Sequence, residues 1–292
     1  MLLEQLVNGI ALGASYALFA VGYSMVFGVL RLINFAHGAV YTFGAFAVWV
    51  LAVRFALPTP LAILIAISLS GILGVLLDKL GLEPLRKKGE YGIPALITTV
   101  GMSYIIINVL NIVFGAQIKR FPAIFNYGNF KVFGATITWQ QVIIALTCML
   151  LLLALSFIVN KTKSGLGMRA VQQQATAAAI NGINVNSIIT FTFFLGSASA
   201  AIAGTLVASY YQYIRPSFAD VIALKAFAAA VLGGIGNLSG AALGGITIGI
   251  VESLAVYFLG TTYIDMVAYL IMFAVLLVKP TGILGKESIK KV

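Results

Sequence analysis

Residues 61–77, 142–159 and 188–210 contain no charged side chain at all. An α-helix rises 1.5 Å per residue, so ~20 apolar residues cross a ~30 Å hydrocarbon layer, and these runs approach or exceed that length. None alternates apolar and polar positions as a lipid-facing barrel strand would. A backbone in lipid has to satisfy its own donors and acceptors, which leaves the helix as the spanning solution. The chain therefore reads as an all-α polytopic membrane protein, a single transmembrane unit over residues 1–292.

Composition agrees. Of 292 residues, 61% are apolar and 9% charged, against about 25% charged in a soluble domain. The formal net charge is +10, but the cations form no continuous stripe of the kind that grips nucleic acid; they gather in the loops between apolar spans. Nucleic acid is excluded as a partner, and membrane lipid is expected as one. Cys148 is the sole cysteine and lies in an apolar run, so neither a disulfide framework nor a thiolate metal cluster is possible. The opening MLLEQLVNGIALG lacks a basic leader and a cleavage site and reads as an uncleaved first span.

Spans are expected near 5–28, 36–53, 60–78, 94–115, 139–159, 187–210, 219–233, 240–259 and 263–278. Lys79, Arg86, Lys87 and Lys88 follow the third. Lys161, Lys163 and Arg169 follow the fifth, and Lys279, Lys286, Lys290 and Lys291 the last. These are eleven of the eighteen cations, and alternating spans place all of them on one side, the cytoplasmic one. The C-terminus is then inside. Residues 219–233 are short and carry Lys225, so they read either as a crossing or as a broken or re-entrant helix, giving eight to nine spans. The extracytoplasmic loop 116–138 mixes strand formers with Gly and Asn, which predicts a surface hairpin ending at an interfacial Trp139.

Two interrupted segments occupy comparable places in the two halves: GVLRLINFAHGAVYTFG (28–44) and AVLGGIGNLSGAALGG (230–245). Such pairs can mark broken helices that meet at a midplane pathway. Gly240/Gly244, Gly245/Gly249, Gly9/Gly13 and Ala200/Gly204 repeat the small-xxx-small spacing that lets helices approach closely in lipid. Polar groups inside spans are costly and tend to face a bundle interior. Asn34, His37, Asn108, Lys225, Asn237 and Glu252 are of this kind. Asn34, His37, the Gly233–Gly236 backbone, Asn237 and Glu252 are the candidate substrate lining, although Glu252 is equally well explained by an ion pair with Lys225. One acid inside the spans does not make a proton relay. His37 is the only histidine, so a His-based metal site has no support, and no Walker A sequence occurs. The chain binds no nucleotide of its own.

The loop 160–186, NKTKSGLGMRAVQQQATAAAINGINVN, interrupts the apolar spans. A helix is predicted from about Gly167 to Asn181, with Arg169, Gln172, Gln173 and Thr176 polar and Ala170, Ala177, Ala178 and Ile180 on a small apolar side. That side lacks the Trp, Phe and Leu anchors of lipid-lying helices, so a shallow groove in a soluble partner is the expected seat.

Four stretches carry a family resemblance: LINFAHGAVYTFGAF, GLGMRAVQQQATAAAINGINV, DVIALKAFAAAVLGGIGNLSGAALGG and KPTGILGK. Together they resemble the permease subunits of ABC importers for branched-chain amino acids, a type II-like importer permease. The resemblance implies a second permease chain forming a heterodimer, two cytoplasmic ATPase subunits that use ATP and Mg, and an extracytoplasmic binding protein. It also implies ATP-driven alternating access in a bacterial or archaeal inner or plasma membrane. In that family the loop at 165–183 couples to the ATPase; Ala177, Ala178 and Gly182 match its Ala-Ala-xxx-Gly pattern, and Gly167 and Arg169 are further coupling candidates. Gln173 and Gln174 stand where an acidic residue is common. Permeases for urea or short amides share these motifs, and an ATP-independent channel or secondary carrier is the reading from a different class.

Overall fold

The computed structural model describes residues 2–90, 92–124, 128–132, 134–279 and 281–285. Lys286, Lys290 and Lys291 of the basic tail lie outside them. The long helices are α1 (Leu2–Leu30), α2 (Ala36–Trp49, extended by a π turn over Val50–Arg54) and α3 (Thr59–Leu77). α3 continues through a second π turn (Asp78–Leu82) into α4 (Glu83–Lys88). They are followed by α5 (Ile93–Phe114), α6 (Trp139–Lys161), α9 (Val185–Tyr211), α10 (Ala219–Gly233), α11 (Leu238–Leu259) and α12 (Ile264–Val278). Two short helices, α7 (Lys163–Gln173) and α8 (Ala175–Ile180), fill the loop between α6 and α9. Among the described residues, eight helices are long and apolar enough to cross a membrane, and α12 adds a shorter apolar one. The protein is thus a multi-pass membrane protein. The segment 219–233 is unbroken helix.

The helices run between two distinct ends. At the hairpin end, β2 (Asn129–Val132) pairs with β3 (Ala135–Thr138), as the composition of that loop predicts, and β1 (Lys119–Arg120) pairs with β4 (Tyr213–Ile214). Thr138 closes the hairpin into α6 with a capping box: its hydroxyl accepts from the Gln141 amide while Gln141 Oε1 accepts from the Thr138 amide at 2.8 Å. Here Glu4 accepts from the Thr136 amide at 2.8 Å, and Asn8 Oδ1 accepts from Gln141 Nε2 and from Tyr210 Oη. At the opposite, loop end, the amides of Ile283 and Leu284 donate to Leu232 and Gly233. The start of α1 and residues 281–285 therefore lie at opposite ends.

Glycine decides the packing. α1 is the central helix, buried along most of its length, and packs most extensively against α11. A Cβ on Gly9 would sit 2.7 Å from Ile250 Cα, and one on Gly13 would sit 2.9 Å from Ile246 Cα. On α11, Gly245 and Gly249 meet the backbone of Ala17 and Gly13, while Gly240 and Gly244 meet Gly233 and Ala229 of α10. The two small-residue spacings read from the sequence are thus two stripes on α11, one for each neighbour. Lipid supplies no hydrophobic drive between helices, so this backbone proximity and its dispersion contacts hold them together. Across the α10–α11 seam Lys225 Nζ donates to Glu252 Oε1 at 2.6 Å, both side chains about 95% buried.

Candidate functional site

The first interruption lies inside the bundle. α1 ends at Leu30, and Arg31 takes a left-handed conformation (φ 52). Residues 31–34 are non-helical, and α2 starts at Ala36. Asn34 builds that start: its Oδ1 accepts from the Ala36 amide at 3.1 Å and its carbonyl from the His37 amide at 3.3 Å. The Phe35 amide donates to Thr99 Oγ1 of α5. Thr99 is six residues into α5, so α2 begins about 9 Å inside the bundle from that helix's first residue.

Beside this buried helix head lies a cavity of about 480 Å³ bounded by α1, α2, α5 and α10. That is within the roughly 300–1,000 Å³ of small-molecule sites. Phe19, Tyr23, Ala39, Ile107, Leu224 and Phe227 give it a largely apolar wall, and Asn34 and Ser103 contribute polar groups. The Tyr23 ring packs edge-on against Phe227 (5.7 Å between centroids) and His37 (5.8 Å), and its hydroxyl has no hydrogen-bond partner within the protein. Val100, Tyr104 and Ile107 bring the α5 face into the same space, and Tyr104 is largely exposed.

The structure divides the residues that the sequence grouped as a pathway. Asn34 borders the cavity. His37 stands behind it, 1% exposed, with Phe19 and Tyr23 against its ring. The others are elsewhere. Gly233 is pressed against the backbone of Gly240. Gly234 (φ 104) and Gly236 (φ 87) reverse the chain between α10 and α11 at the loop end, a conformation L side chains rarely adopt. Asn237 caps α11 through the Gly240 amide and donates to Leu284 O at 2.8 Å. Glu252 is in the ion pair with Lys225. The two interrupted segments do meet, with Gly236 against Gly28, but at the bundle end and not at a midplane. The second interruption is a tight helix–helix turn, whereas the first is a break within the bundle. Asn108 donates to Tyr104 O on its own helix. Tyr23, Leu224 and Phe227 escaped sequence reasoning because they sit in largely apolar helices, where an apolar side chain on the cavity wall looks the same as one on a lipid face.

The second candidate region is the loop between α6 and α9. One helix over 167–181 is expected; instead α7 stops and the chain is extended at Gln174 (φ −160) before α8 begins. Thr162 caps α7 through the Gly165 amide, and Arg169 Nη1 donates to Val159 O at the end of α6. Gly167 is buried against Ile188. Arg169 and Gly167 thus seat α7 on the bundle. Ala178 also turns inward, and Ala177 is half-buried. The Ala-Ala-xxx-Gly spacing has a local cause. Ile183 N donates to Ala178 O and Gly182 N to Ala179 O, a Schellman ending in which Gly182 takes φ 81. The surface left free is Gln173, Gln174, Ala175, Thr176, Ala179 and Ile180, with Ile180 82% exposed.

α7 touches both interruptions. Gln172 Nε2 donates to Gly236 O at 3.3 Å, Gln172 O accepts from Arg31 Nη2 at 3.3 Å, and the Gln172 amide lies against Gly28.

Residues 5–276 match the family described as the permease component of the branched-chain amino acid transport system. The chain is 36% identical to the high-affinity branched-chain amino acid transport system permease protein LivH of Escherichia coli K12, covering 99% of this chain and 97% of that one. It is 37% identical to the corresponding permease protein BraD of Pseudomonas aeruginosa, covering 99% and 98%. Among solved structures, a chain of PsaBC from Streptococcus pneumoniae, in complex with a Fab, superposes with a TM-score of 0.52 over 94% of this chain and 91% of that chain, at 13% identity; that likeness concerns the fold alone. With the family match running from the first turns of α1 into α12, the chain belongs to the branched-chain amino acid transport permease family.

Proposed function

We propose that this chain is the membrane-spanning permease subunit of an ATP-driven importer of leucine, isoleucine and valine in a bacterial or archaeal inner or plasma membrane. The observation that carries this reading is near full-length similarity to branched-chain amino acid permeases, joined to an apolar cavity at a helix break inside the bundle. A branched aliphatic side chain matches such a wall, and a few polar groups at one edge suit its backbone end.

In this reading the loop end faces the cytoplasm, consistent with Lys79, Arg86–Lys88, Lys161, Lys163 and Lys279 being there. The hairpin end meets an extracytoplasmic binding protein. A second permease chain covers the open side of the cavity along α5, whose Ser103 and Tyr104 make a poor lipid face. Two ATPase subunits seat on α8 and the exposed edge of α7. Closure of the ATPases on ATP displaces α8 and, through Gln172, carries along the end of α1 and the α10–α11 turn. α1, α2 and α10 wall the cavity, so that displacement alternates its access. The chain supplies the path and the mechanical contact; ATP and Mg are handled by the partners.

The test is co-reconstitution in liposomes with the two ATPases, the second permease and the binding protein. ATP-dependent accumulation of labelled leucine is expected. Leucine flux without ATP, or uptake of urea but not leucine, overturns the proposal.

A further inference from the structure

Three cations gather round one tryptophan at the hairpin end. Arg54, which closes the π turn after α2, places its guanidinium carbon 5.6 Å from the centre of the Trp49 ring and 5.7 Å from that of Phe114. Lys119 of β1 places its ammonium 5.6 Å from the same Trp49 ring, so the two charges stand no farther apart than twice that distance. The indole is fixed from a third side, where its Nε1 donates to Arg120 O at 3.0 Å. A ring face attracts each cation but neutralises neither. Among the described residues none of the three makes an ion pair. Glu4, the acid whose side chain is described at this surface, is engaged by the Thr136 amide on the β2–β3 hairpin. The side chains of Asp220 and Asp265, near the heads of α10 and α12, lie outside those described. In the proposed orientation this is the outer end, where topology keeps Lys and Arg few.

The neighbours of the cluster are apolar and open. Val53 and Phe55 flank Arg54, Ile118 precedes Lys119, and Val113 precedes Phe114; each is about half exposed or more. Val113 lies two and a half turns beyond Tyr104, on the opposite side of α5 from the face given to a second permease. It also belongs to the apolar span Ile93–Phe114, inside the level of the loops. A soluble acidic protein can meet the cations but cannot follow that strip into the hydrocarbon. An amphiphile with an anionic head satisfies both.

We propose that Arg54 and Lys119, with Arg120 beside them, hold the phosphate of an anionic phospholipid whose acyl chains lie along Val53, Phe55, Val113 and Ile118. The lipid then clips the end of α2 to the end of α5, two of the helices that wall the cavity. The assignment stands on the membrane fold and does not depend on which solute is carried.

The test uses the full-length chain in nanodiscs that contain a photoactivatable phosphatidylglycerol, with labelled peptides read by mass spectrometry. Labelling within 49–57 and 113–120 is expected. Unlabelled phosphatidylglycerol should compete about tenfold better than phosphatidylethanolamine with the same chains, the scale that one or two nearby cations give an anionic lipid. Arg54→Gln combined with Lys119→Gln should cut labelling there about tenfold, while Lys131→Gln, on the β2–β3 hairpin, should leave it unchanged. Equal competition by the two lipids overturns the proposal, and so does wild-type labelling of the double variant or an equal loss in Lys131→Gln. Displacement of the lipid by excess inorganic phosphate marks an anion site without an acyl strip, and displacement by the extracytoplasmic binding protein marks a protein seat; either result overturns it too. If the double variant fails to insert, the comparison of the two lipids on the wild type decides.

Discussion

Ile180 offers the sharpest test of the proposed ATPase seat on α8. It closes a six-residue helix, and 82% of its surface is uncovered in the isolated chain. Fully burying an isoleucine side chain is worth about 1.5–3 kcal/mol. Since four-fifths of that surface remains available, a snug seat in a partner groove would recover about 2 kcal/mol, or about 30-fold in dissociation constant. Ile180→Ser should forfeit most of this and little of the fold, because the side chain touches so little of its own protein. The Schellman ending of α8 uses the backbone of Ala178, Ala179, Gly182 and Ile183 and survives the change. The assay is a titration of the ATPase onto permease pairs in nanodiscs, with wild type alongside. A shift of at least tenfold is expected. An affinity within threefold of wild type would refute the seat on α8, and protection of residue 180 from an aqueous quencher by lipid alone would place it on headgroups instead.

Two further outcomes follow from the same contacts. Gln172→Met keeps the side-chain length but removes the donor to Gly236 O; ATPase attachment and basal hydrolysis should persist while leucine uptake falls about tenfold, within the range of coupling free energies. Uptake at the wild-type rate per ATP would show that motion reaches the cavity by another route. Lys225→Met takes the ammonium away from buried Glu252 and should cost about 3–5 kcal/mol, whereas Lys225→Met with Glu252→Gln should recover most of it. Thermal unfolding of the detergent-solubilised complex reads this, and equal losses in the single and double variants would contradict the pair's role in the α10–α11 seam.

Much of the fold was legible because hydrocarbon imposes it. Uncharged runs such as 142–159 have one spanning solution, and the clustered cations lie at the ends, while Lys225 inside α10 is paired with Glu252. Gly9, Gly13, Gly245 and Gly249 announced close helix contacts by spacing, and the hairpin at 129–138 by composition. The candidate site was less legible. Asn34 stood out because an amide in an apolar segment needs a reason. The same rule drew attention to Asn237 and Glu252, whose reasons proved to be a helix cap and an ion pair. In the loop, spacing named Ala178 and Gly182 without revealing that they close a short helix, and a single helix was expected where Gln174 breaks it.

By itself the sequence determined what the bilayer and the backbone enforce locally: helical spans, their small-residue stripes and the family. Only the tertiary structure decided which side chains share a space. Tyr23, Gly38, Leu224 and Phe227 lie on three helices and up to about two hundred positions apart, and nothing in their sequence spacing links them. In lipid both faces of a helix are hydrophobic, so periodicity no longer separates wall from surroundings, and only the crossing of α1, α2, α5 and α10 brings the cavity into being.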